Sequence, residues 1–156
     1  MPQETERKFL VTSAAYKKDG FRRTHIIQGY ISINPEATVR IRIRDNQAYL
    51  TIKGKSNEQG TSRFEWEKEI DVTEARELLQ LCSFGLIEKY RYEVSASEHV
   101  FEVDEFLGLN AGLVVAEIEL KNEADFFEKP AWLGEEVTGD KRYYNAMLSQ
   151  HPFNQW

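Results

Sequence analysis

The sequence contains very little cysteine: its 156 residues include only one, Cys82. A single cysteine cannot form an intrachain disulfide, so the fold cannot depend on such bonds. Cys82 also lies in the apolar segment from Leu78 to Phe84, where a cysteine most often acts as a small buried hydrophobic residue. We therefore expect neither a disulfide framework nor thiol chemistry.

Long hydrophobic runs are absent as well, and no apolar segment approaches the roughly 20 residues that a membrane-spanning helix needs. The first residues are acidic and lack the basic and apolar regions of a signal peptide. We expect a cytoplasmic protein with no membrane partner. The length is typical of one domain, and we predict a single domain over residues 1–150 followed by a C-terminal tail over residues 151–156.

Positive charge is scarce relative to negative charge: 20 Lys and Arg residues against 26 Asp and Glu residues give a net charge of −6. A surface with this balance repels nucleic acid on average, so a general nucleic-acid-binding function is disfavoured. The charge is also unevenly distributed. Residues 36–55 hold five basic and two acidic residues (net +3), whereas residues 98–128 hold nine acidic residues and one basic residue (net −8).

Most of the chain alternates apolar and polar residues with the period of two that is typical of β-strands. We predict eight strands, near residues 3–11, 24–33, 37–45, 47–55, 61–71, 86–95, 98–106 and 112–121. Helical patterns are fewer and cover residues 12–18, 73–81 and 140–149, with Thr73 as a candidate N-cap. The expected fold class is therefore mainly β with a few helices.

One face of these strands carries almost only charged residues. On the first predicted strand Glu4, Glu6 and Lys8 share a face, while Phe9 lies on the other. A single strand of this kind usually has its charged side in water, but seven such strands indicate the lining of a cavity. We expect an eight-stranded antiparallel β-barrel, with its apolar side outward onto helices and its charged side around a water-filled tunnel. Because dry burial of charge is costly, the tunnel should be open at its ends.

A tunnel with one cationic and one anionic wall suits a particular kind of ligand. Arg and Lys side chains pair with phosphate oxygens, and clustered carboxylates are ligands for Mg²⁺ or Mn²⁺. The charge pattern therefore predicts a site for a polyphosphate and a divalent metal. A groove for nucleic acid would need aromatic residues on the charged face, and here the aromatic residues fall on the opposite face.

Short motifs along the chain resemble the CYTH domain, the family of triphosphate tunnel metalloenzymes. The matching segments are Glu4-x-Glu6-x-Lys8, Gln28-Gly29-Tyr30, Val39 to Arg42, Leu50 to Lys53, Arg63-x-Glu65-x-Glu67, Glu88 to Tyr92, Phe101 to Asp104, Ala116 to Glu119 and Gly134 to Asn145. Glu-x-Glu-x-Lys alone is common on exposed strands, but the ordered matches run the length of the chain. The resemblance implies an eight-stranded antiparallel barrel that binds a triphosphate and a divalent metal.

The resemblance also implies roles for individual residues. Phosphate oxygens would be held by Lys8, Arg40, Arg42, Lys53, Lys89 and Arg91. The metal would be held by Glu4, Glu6, Glu117 and Glu119, and a second metal or the attacking water would be positioned by Glu65, Glu67 and Asp104. Arg44 lies nearer a strand end and is expected at the rim. For the general base, the alternatives are a carboxylate near the metal and Tyr30 activated by Lys8, although Tyr30 is equally well explained as a wall residue.

Among the activities of the family, this short single-domain chain most resembles the bacterial members that hydrolyse inorganic tripolyphosphate. The expected reaction is metal-dependent cleavage of that small-molecule substrate to pyrophosphate and orthophosphate. An adenylate cyclase, or a hydrolase of thiamine triphosphate or a nucleoside triphosphate, would use the same phosphate-binding residues. A non-enzymatic polyphosphate-binding module would need only the cations. The choice between Mg²⁺ and Mn²⁺ and the formation of a homodimer are left open.

Overall fold

The computed structural model describes residues 5–56, 63–82, 84–122 and 124–156. Its strands are Thr5–Val11 (β1), Gly20–Asn34 (β2), Ala37–Arg44 (β3), Gln47–Ser56 (β4), Arg63–Ile70 (β5), Ile87–Ala96 (β6), His99–Phe106 (β7), Val114–Leu120 (β8) and Leu133–Glu136 (β9). The α-helices are Tyr16–Asp19 (α1), Val72–Leu79 (α2) and Asn145–Gln150 (α3), and 3-10 turns lie at Gly108–Asn110, Lys141–Tyr143 and Phe153–Gln155. The predicted fold class, mainly β with a few helices, is confirmed. None of these helices has the length and apolar character needed to cross a membrane.

The strands form one antiparallel sheet in the order β5-β4-β3-β2-β6-β7-β8-β1-β9. Within the described residues no hydrogen-bonded ladder joins β5 to β9, so the sheet is not closed into the expected barrel. It is nevertheless strongly curled. Lys8 of β1 and Lys53 of β4 line one cavity although these strands are six places apart in the sheet order. The structure therefore agrees broadly with the predicted tunnel fold, but its described residues form nine strands in a sheet that is not closed.

The ninth strand, Leu133–Glu136, falls outside the eight strands predicted from the sequence. This strand pairs with the outer edge of β1. A Cβ atom on Gly134 would lie 3.0 Å from both the Leu10 carbonyl oxygen and Thr12 Cγ2, so glycine permits this close approach. Four residues that include a glycine give too short an alternating pattern for the strand to be predicted.

The apolar side of the sheet faces outward, as the alternation predicted. Ile41 and Ile43 of β3 pack with Ala75 and Leu79 of α2. The other half of the sheet has a second outward cluster, which includes Phe9, Tyr16, Phe101, Val103, Ile118, Phe127 and Trp132. The charged residues, at alternate positions, therefore occupy the inner face.

The N-cap of helix α2 is Asp71, two residues before the predicted N-cap Thr73. The Asp71 carboxylate accepts hydrogen bonds from the backbone N–H groups of Thr73 at 2.8 Å and Glu74 at 3.4 Å. The last predicted helix, over residues 140–149, is divided into a 3-10 turn and α3.

One end of the inner face is covered by the C-terminal part of the chain. Ile87 and Val115 point to the same face as Lys89 and Glu117, yet they are buried in an apolar cluster. That cluster also contains Phe106, Leu113, Val137, Tyr143 and Leu148. The expectation of a tunnel open at both ends is therefore wrong at this end, which apolar residues of α3 and the preceding 3-10 turn close.

Candidate active site

A cavity of about 200 Å³ lies on the inner face, between β1 to β4 and the start of α3. Its lining residues are Lys8, Tyr30, Thr38, Arg40, Thr51, Lys53, Tyr144, Asn145 and Ala146. Four of them were predicted as substrate-binding or catalytic residues, and each of these four comes from a different strand. The curvature of the sheet thus brings Lys8, Tyr30, Arg40 and Lys53 together. Three of the described lining residues are cationic and none carries a carboxylate.

Deeper in the sheet, Lys89 and Arg91 share one buried carboxylate, Asp104, and Arg91 also pairs with Glu102 at 2.9 Å. Lys89 is 0% exposed and Asp104 is 2% exposed. Asp104 accepts hydrogen bonds from Arg91 at 2.8 and 3.0 Å, and Lys89 Nζ lies 2.8 Å from its second oxygen. Burial raises the pKa of Asp104, but Lys89 and Arg91 outweigh burial and hold this pKa well below its usual range. For Lys89, burial is the largest effect and lowers the pKa to about 8 despite the attraction of Asp104.

Arg42 adds a further positive charge to this cluster. Its Nε donates a hydrogen bond to Gln28 Oε1 at 2.8 Å. Burial, together with repulsion from Arg40 and Arg91, lowers the pKa of the Arg42 guanidinium. Because the amide of Gln28 is neutral, it orients Arg42 without cancelling its charge. The cluster therefore keeps an excess of positive charge that an anion would compensate.

Two buried donors on this cationic wall have no hydrogen-bond partner among the described residues: Gln28 Nε2 and Arg40 Nε. The ladder between β2 and β3 brings them close, because Gln28 lies opposite Arg42 and Tyr30 lies opposite Arg40. Buried donors without acceptors are rare and costly in folded proteins. Donors of this kind are suited to an anion with several oxygen acceptors.

The facing wall, across β7, β8 and β1, is acidic. Glu102 lies directly opposite Glu117 in one ladder, and Glu119 lies directly opposite Glu6 in the next. Like charges in directly opposed positions destabilise a sheet. Arg91 pairs with Glu102 at 2.9 Å, and Lys8 pairs with Glu117 at 2.6 Å. Burial, followed by repulsion from Glu117, raises the pKa of Glu6. The wall therefore suits a cation.

Lys8 connects the two walls. Its Nζ lies 2.6 Å from Glu117 Oε1, 3.5 Å from Glu6 Oε1 and 5.4 Å from the ring centroid of Tyr144. Burial is the largest single effect and favours the neutral amine, but the two carboxylates together outweigh it and raise the pKa of Lys8. Lys8 is therefore charged at neutral pH, at the boundary between the cationic cavity and the acidic wall.

The predicted metal ligands lie on neighbouring strands as far as the structure describes them. The ladder between β1 and β8 places Glu6 directly opposite Glu119 and Lys8 directly opposite Glu117. Glu4 lies outside the described residues. In residues 5–56, 63–82, 84–122 and 124–156, no three His, Cys, Asp or Glu side chains form a group that could hold a metal ion. The identity of the metal ligands stays a prediction.

The residues predicted to position a second metal or water are separated. Glu65 and Glu67 lie exposed on the edge strand β5, and Glu67 accepts a hydrogen bond from Thr51 at 2.8 Å. Asp104 lies on β7, and its two oxygens are engaged by Lys89 and Arg91. In this arrangement Asp104 is a counter-ion that fixes the cations.

Several neutral residues of the site had no role predicted from the sequence. Asn145 of α3 accepts a hydrogen bond from Lys89 Nζ at 2.9 Å, and Tyr144 and Thr51 line the cavity. Gln28 holds Arg42. A neutral side chain leaves no trace in a charge pattern. The only signal for Gln28 and Asn145 was their presence in motif segments.

Several known proteins match this chain over nearly its whole length. The model of the CYTH domain matches residues 2–149. An inorganic triphosphatase of Acetivibrio thermocellus is 47% identical over 98% of this chain and 97% of its own length. An inorganic triphosphatase of Nitrosomonas europaea is 36% identical over 94% of this chain and 96% of its own length. A crystal structure of an inorganic triphosphatase superimposes with a TM-score of 0.73 at 34% identity, covering 96% of this chain and 95% of its own.

Proposed function

Since the chain belongs to the CYTH domain family, we propose that it is a triphosphatase that cleaves inorganic tripolyphosphate to pyrophosphate and orthophosphate. One observation carries this proposal: the cavity is lined by three cations, Lys8, Arg40 and Lys53, and none of its described lining residues carries a carboxylate. Several phosphate oxygens can be bound there at once. The two inorganic triphosphatases that resemble the chain over nearly their whole lengths support the same reaction.

The size of the cavity favours an inorganic substrate over a nucleotide. Tyr144, Asn145 and Ala146 of the C-terminal segment line one side of it, and its volume is about 200 Å³. Pockets that enclose drug-sized organic ligands usually measure roughly 300–1,000 Å³. A chain of three phosphoryl groups without a base and a sugar is the better match.

Hydrolysis breaks the P–O bond to the leaving pyrophosphate and forms a P–O bond to the oxygen of water. Most of the catalysis in such a reaction is positioning and charge stabilisation rather than covalent chemistry. The phosphoryl oxygens would be held by Arg40, Lys53 and Lys8. Positive potential would be added by the cluster deeper in the sheet, which consists of Arg42, Lys89 and Arg91. The proton of water would pass to Tyr30, which lines the cavity with Lys8, or to a glutamate of the acidic wall.

We further propose that the reaction requires Mg²⁺ or Mn²⁺, held by Glu6, Glu117 and Glu119 together with Glu4. The opposed pair of Glu6 and Glu119 and the raised pKa of Glu6 fit a cation at this wall. When bound, the ion would add positive charge at the phosphate oxygens and lower the pKa of a coordinated water. Carboxylate oxygens are the preferred ligands of both ions.

A product assay tests the proposed reaction. The protein is incubated with tripolyphosphate, ATP or thiamine triphosphate, each with Mg²⁺, with Mn²⁺ and with a chelator, and the products are identified. We expect orthophosphate from tripolyphosphate at a higher rate than from ATP, and only with a divalent metal. Formation of cyclic AMP and pyrophosphate from ATP, with tripolyphosphate left intact, would show a cyclase instead.

Substitution of Glu6 by glutamine tests the metal site. The variant keeps the shape of the side chain and removes its charge, so the metal concentration for half-maximal activity should rise at least about tenfold. The melting temperature should hold or rise, because repulsion from Glu117 and Glu119 is relieved. Glu77→Gln, on the exposed side of α2, is the matched control and should change neither quantity. An unchanged metal requirement in Glu6→Gln would remove this residue from the site.

A further inference from the structure

Gln28 is a fully buried polar residue on the cationic wall, with 0% of its surface exposed. Its Oε1 accepts the hydrogen bond from Arg42 Nε at 2.8 Å. Because a guanidinium group can only donate, this bond fixes the orientation of the amide: the oxygen faces Arg42 and Nε2 points elsewhere. Gln28 therefore has two further N–H donors whose direction is set by Arg42.

These donors have no acceptor among the described residues. The side chains of the direct ladder neighbours of Gln28 on the inner face have no acceptor. Arg42 lies directly opposite in β3, and Ile87 lies directly opposite in β6 with Lys89 two positions further on. Cations only donate, and isoleucine has no polar side-chain atom. The acceptor has to come from outside this group of side chains.

The neighbouring residues indicate which acceptor it is. Two positions along β2 from Gln28, on the same face, Tyr30 lines the cavity, and Arg40 opposite Tyr30 has a second buried donor without a partner, Nε. Two such donors on adjacent strands, beside an excess of positive charge, are matched by the oxygens of one anion. The large majority of buried side-chain polar atoms have a hydrogen-bond partner, so the unpaired Nε2 needs an explanation beyond filling the core.

We infer that Gln28 is a substrate-binding residue: Nε2 donates a hydrogen bond to a phosphoryl oxygen of the bound triphosphate, while Oε1 holds Arg42 towards the same anion. This inference rests on the proposed function, because it needs a triphosphate in the cavity. It also gives a reason for a neutral residue at this position. A glutamate would hold Arg42 equally well, but it would cancel the charge of Arg42 and repel the phosphate.

Binding of tripolyphosphate to the metal-free protein, measured by calorimetry with a chelator present, tests the inference. Gln28→Met keeps the volume and removes both polar atoms, so the Kd should rise roughly 10- to 100-fold, the loss expected for a hydrogen bond to a charged group. Gln28→Glu should weaken binding more than Gln28→Met. Gln80→Met, on an exposed position at the end of α2, should bind as the wild type does.

A measurement on the unmodified chain keeps the inference testable if a variant fails to fold. In the ¹⁵N-labelled wild type, titration with tripolyphosphate should move the side-chain amide signals of Gln28 and leave those of Gln80 in place. Unmoved Gln28 signals, or wild-type affinity in Gln28→Met or in Gln28→Glu, would overturn the inference while tripolyphosphate still binds. If the wild type does not bind tripolyphosphate in the chelator, the same variants are compared with Mg²⁺ and a non-hydrolysed imido analogue, and wild-type affinity in Gln28→Met then overturns the inference alone. If the wild type binds in neither condition, the proposed function and this inference are both overturned.

Discussion

Replacing Asp104 with asparagine should destabilise the protein by about 3–5 kcal/mol, the usual cost of leaving buried charges without their partner. Asp104 is 2% exposed and is the carboxylate that Lys89 and Arg91 share. Asparagine keeps the size of the side chain, so the loss reports charge rather than packing. Denaturant unfolding at pH 7 measures it. Asp19→Asn, on the exposed surface of α1, is the control and should change the free energy of unfolding by less than about 0.5 kcal/mol.

The loss of stability in Asp104→Asn should become smaller as the pH falls. The folded structure depresses the pKa of Asp104, so the stability from this residue is present above the unfolded-state pKa of roughly 3.9 and disappears as the pH falls through the lower folded value. The difference between wild type and variant should therefore be full near neutral pH and shrink below about pH 4. Tripolyphosphate should restore part of the stability by supplying negative charge near Lys89 and Arg91. A variant as stable as the wild type at pH 7 would contradict the assigned role of Asp104 as their counter-ion.

Replacing Arg40 with alanine should reduce kcat/KM for tripolyphosphate by roughly 10²- to 10³-fold, as for the loss of one donor to developing charge. Arg40 lines the cavity, and its Nε has no hydrogen-bond partner among the described residues. The fold should remain intact because Arg40 contributes no apolar packing to the clusters behind the sheet. Steady-state kinetics at fixed ionic strength measure the effect.

Arg44→Ala is the matched control for Arg40→Ala. Arg44 lies four residues further along β3, on the same face, but it is exposed and does not line the cavity of Lys8 and Lys53. At physiological salt an exposed charge four residues along the strand from Arg40 is largely screened, so Arg44→Ala should change kcat/KM by less than about threefold. Equal losses in Arg40→Ala and Arg44→Ala would mean that general positive potential, not contact with the substrate, accounts for activity.

The alternation of the strands made the two faces of the sheet predictable. Ile41 packs on α2 and Arg42 faces inward, as the period of two requires. The closed end of the inner face and the short strand β9 could not be predicted, because they depend on where the C-terminal segment folds back. The opposed pairs Glu6 with Glu119 and Glu102 with Glu117 likewise depend on ladder register, which no local pattern specifies.

Within the site, charge decided what could be predicted. Arg40 and Lys53 stood out because charged residues repeat on one face, and the structure places both at the cavity. Gln28 and Asn145 contact the cations Arg42 and Lys89, but neutral amides are common on any surface and carry no such signal. Cytoplasmic localisation and the separation of a C-terminal tail stay predictions from the sequence, and homodimer formation stays open.

A crystal structure with a slowly hydrolysed imido analogue of tripolyphosphate would test the central claim most directly. The account predicts the analogue in the cavity of about 200 Å³, with phosphoryl oxygens within hydrogen-bond distance of Arg40, Lys53 and Lys8. An analogue bound instead at the separate pocket lined by Arg22 and Arg44, with none in the cavity beside α3, would contradict it.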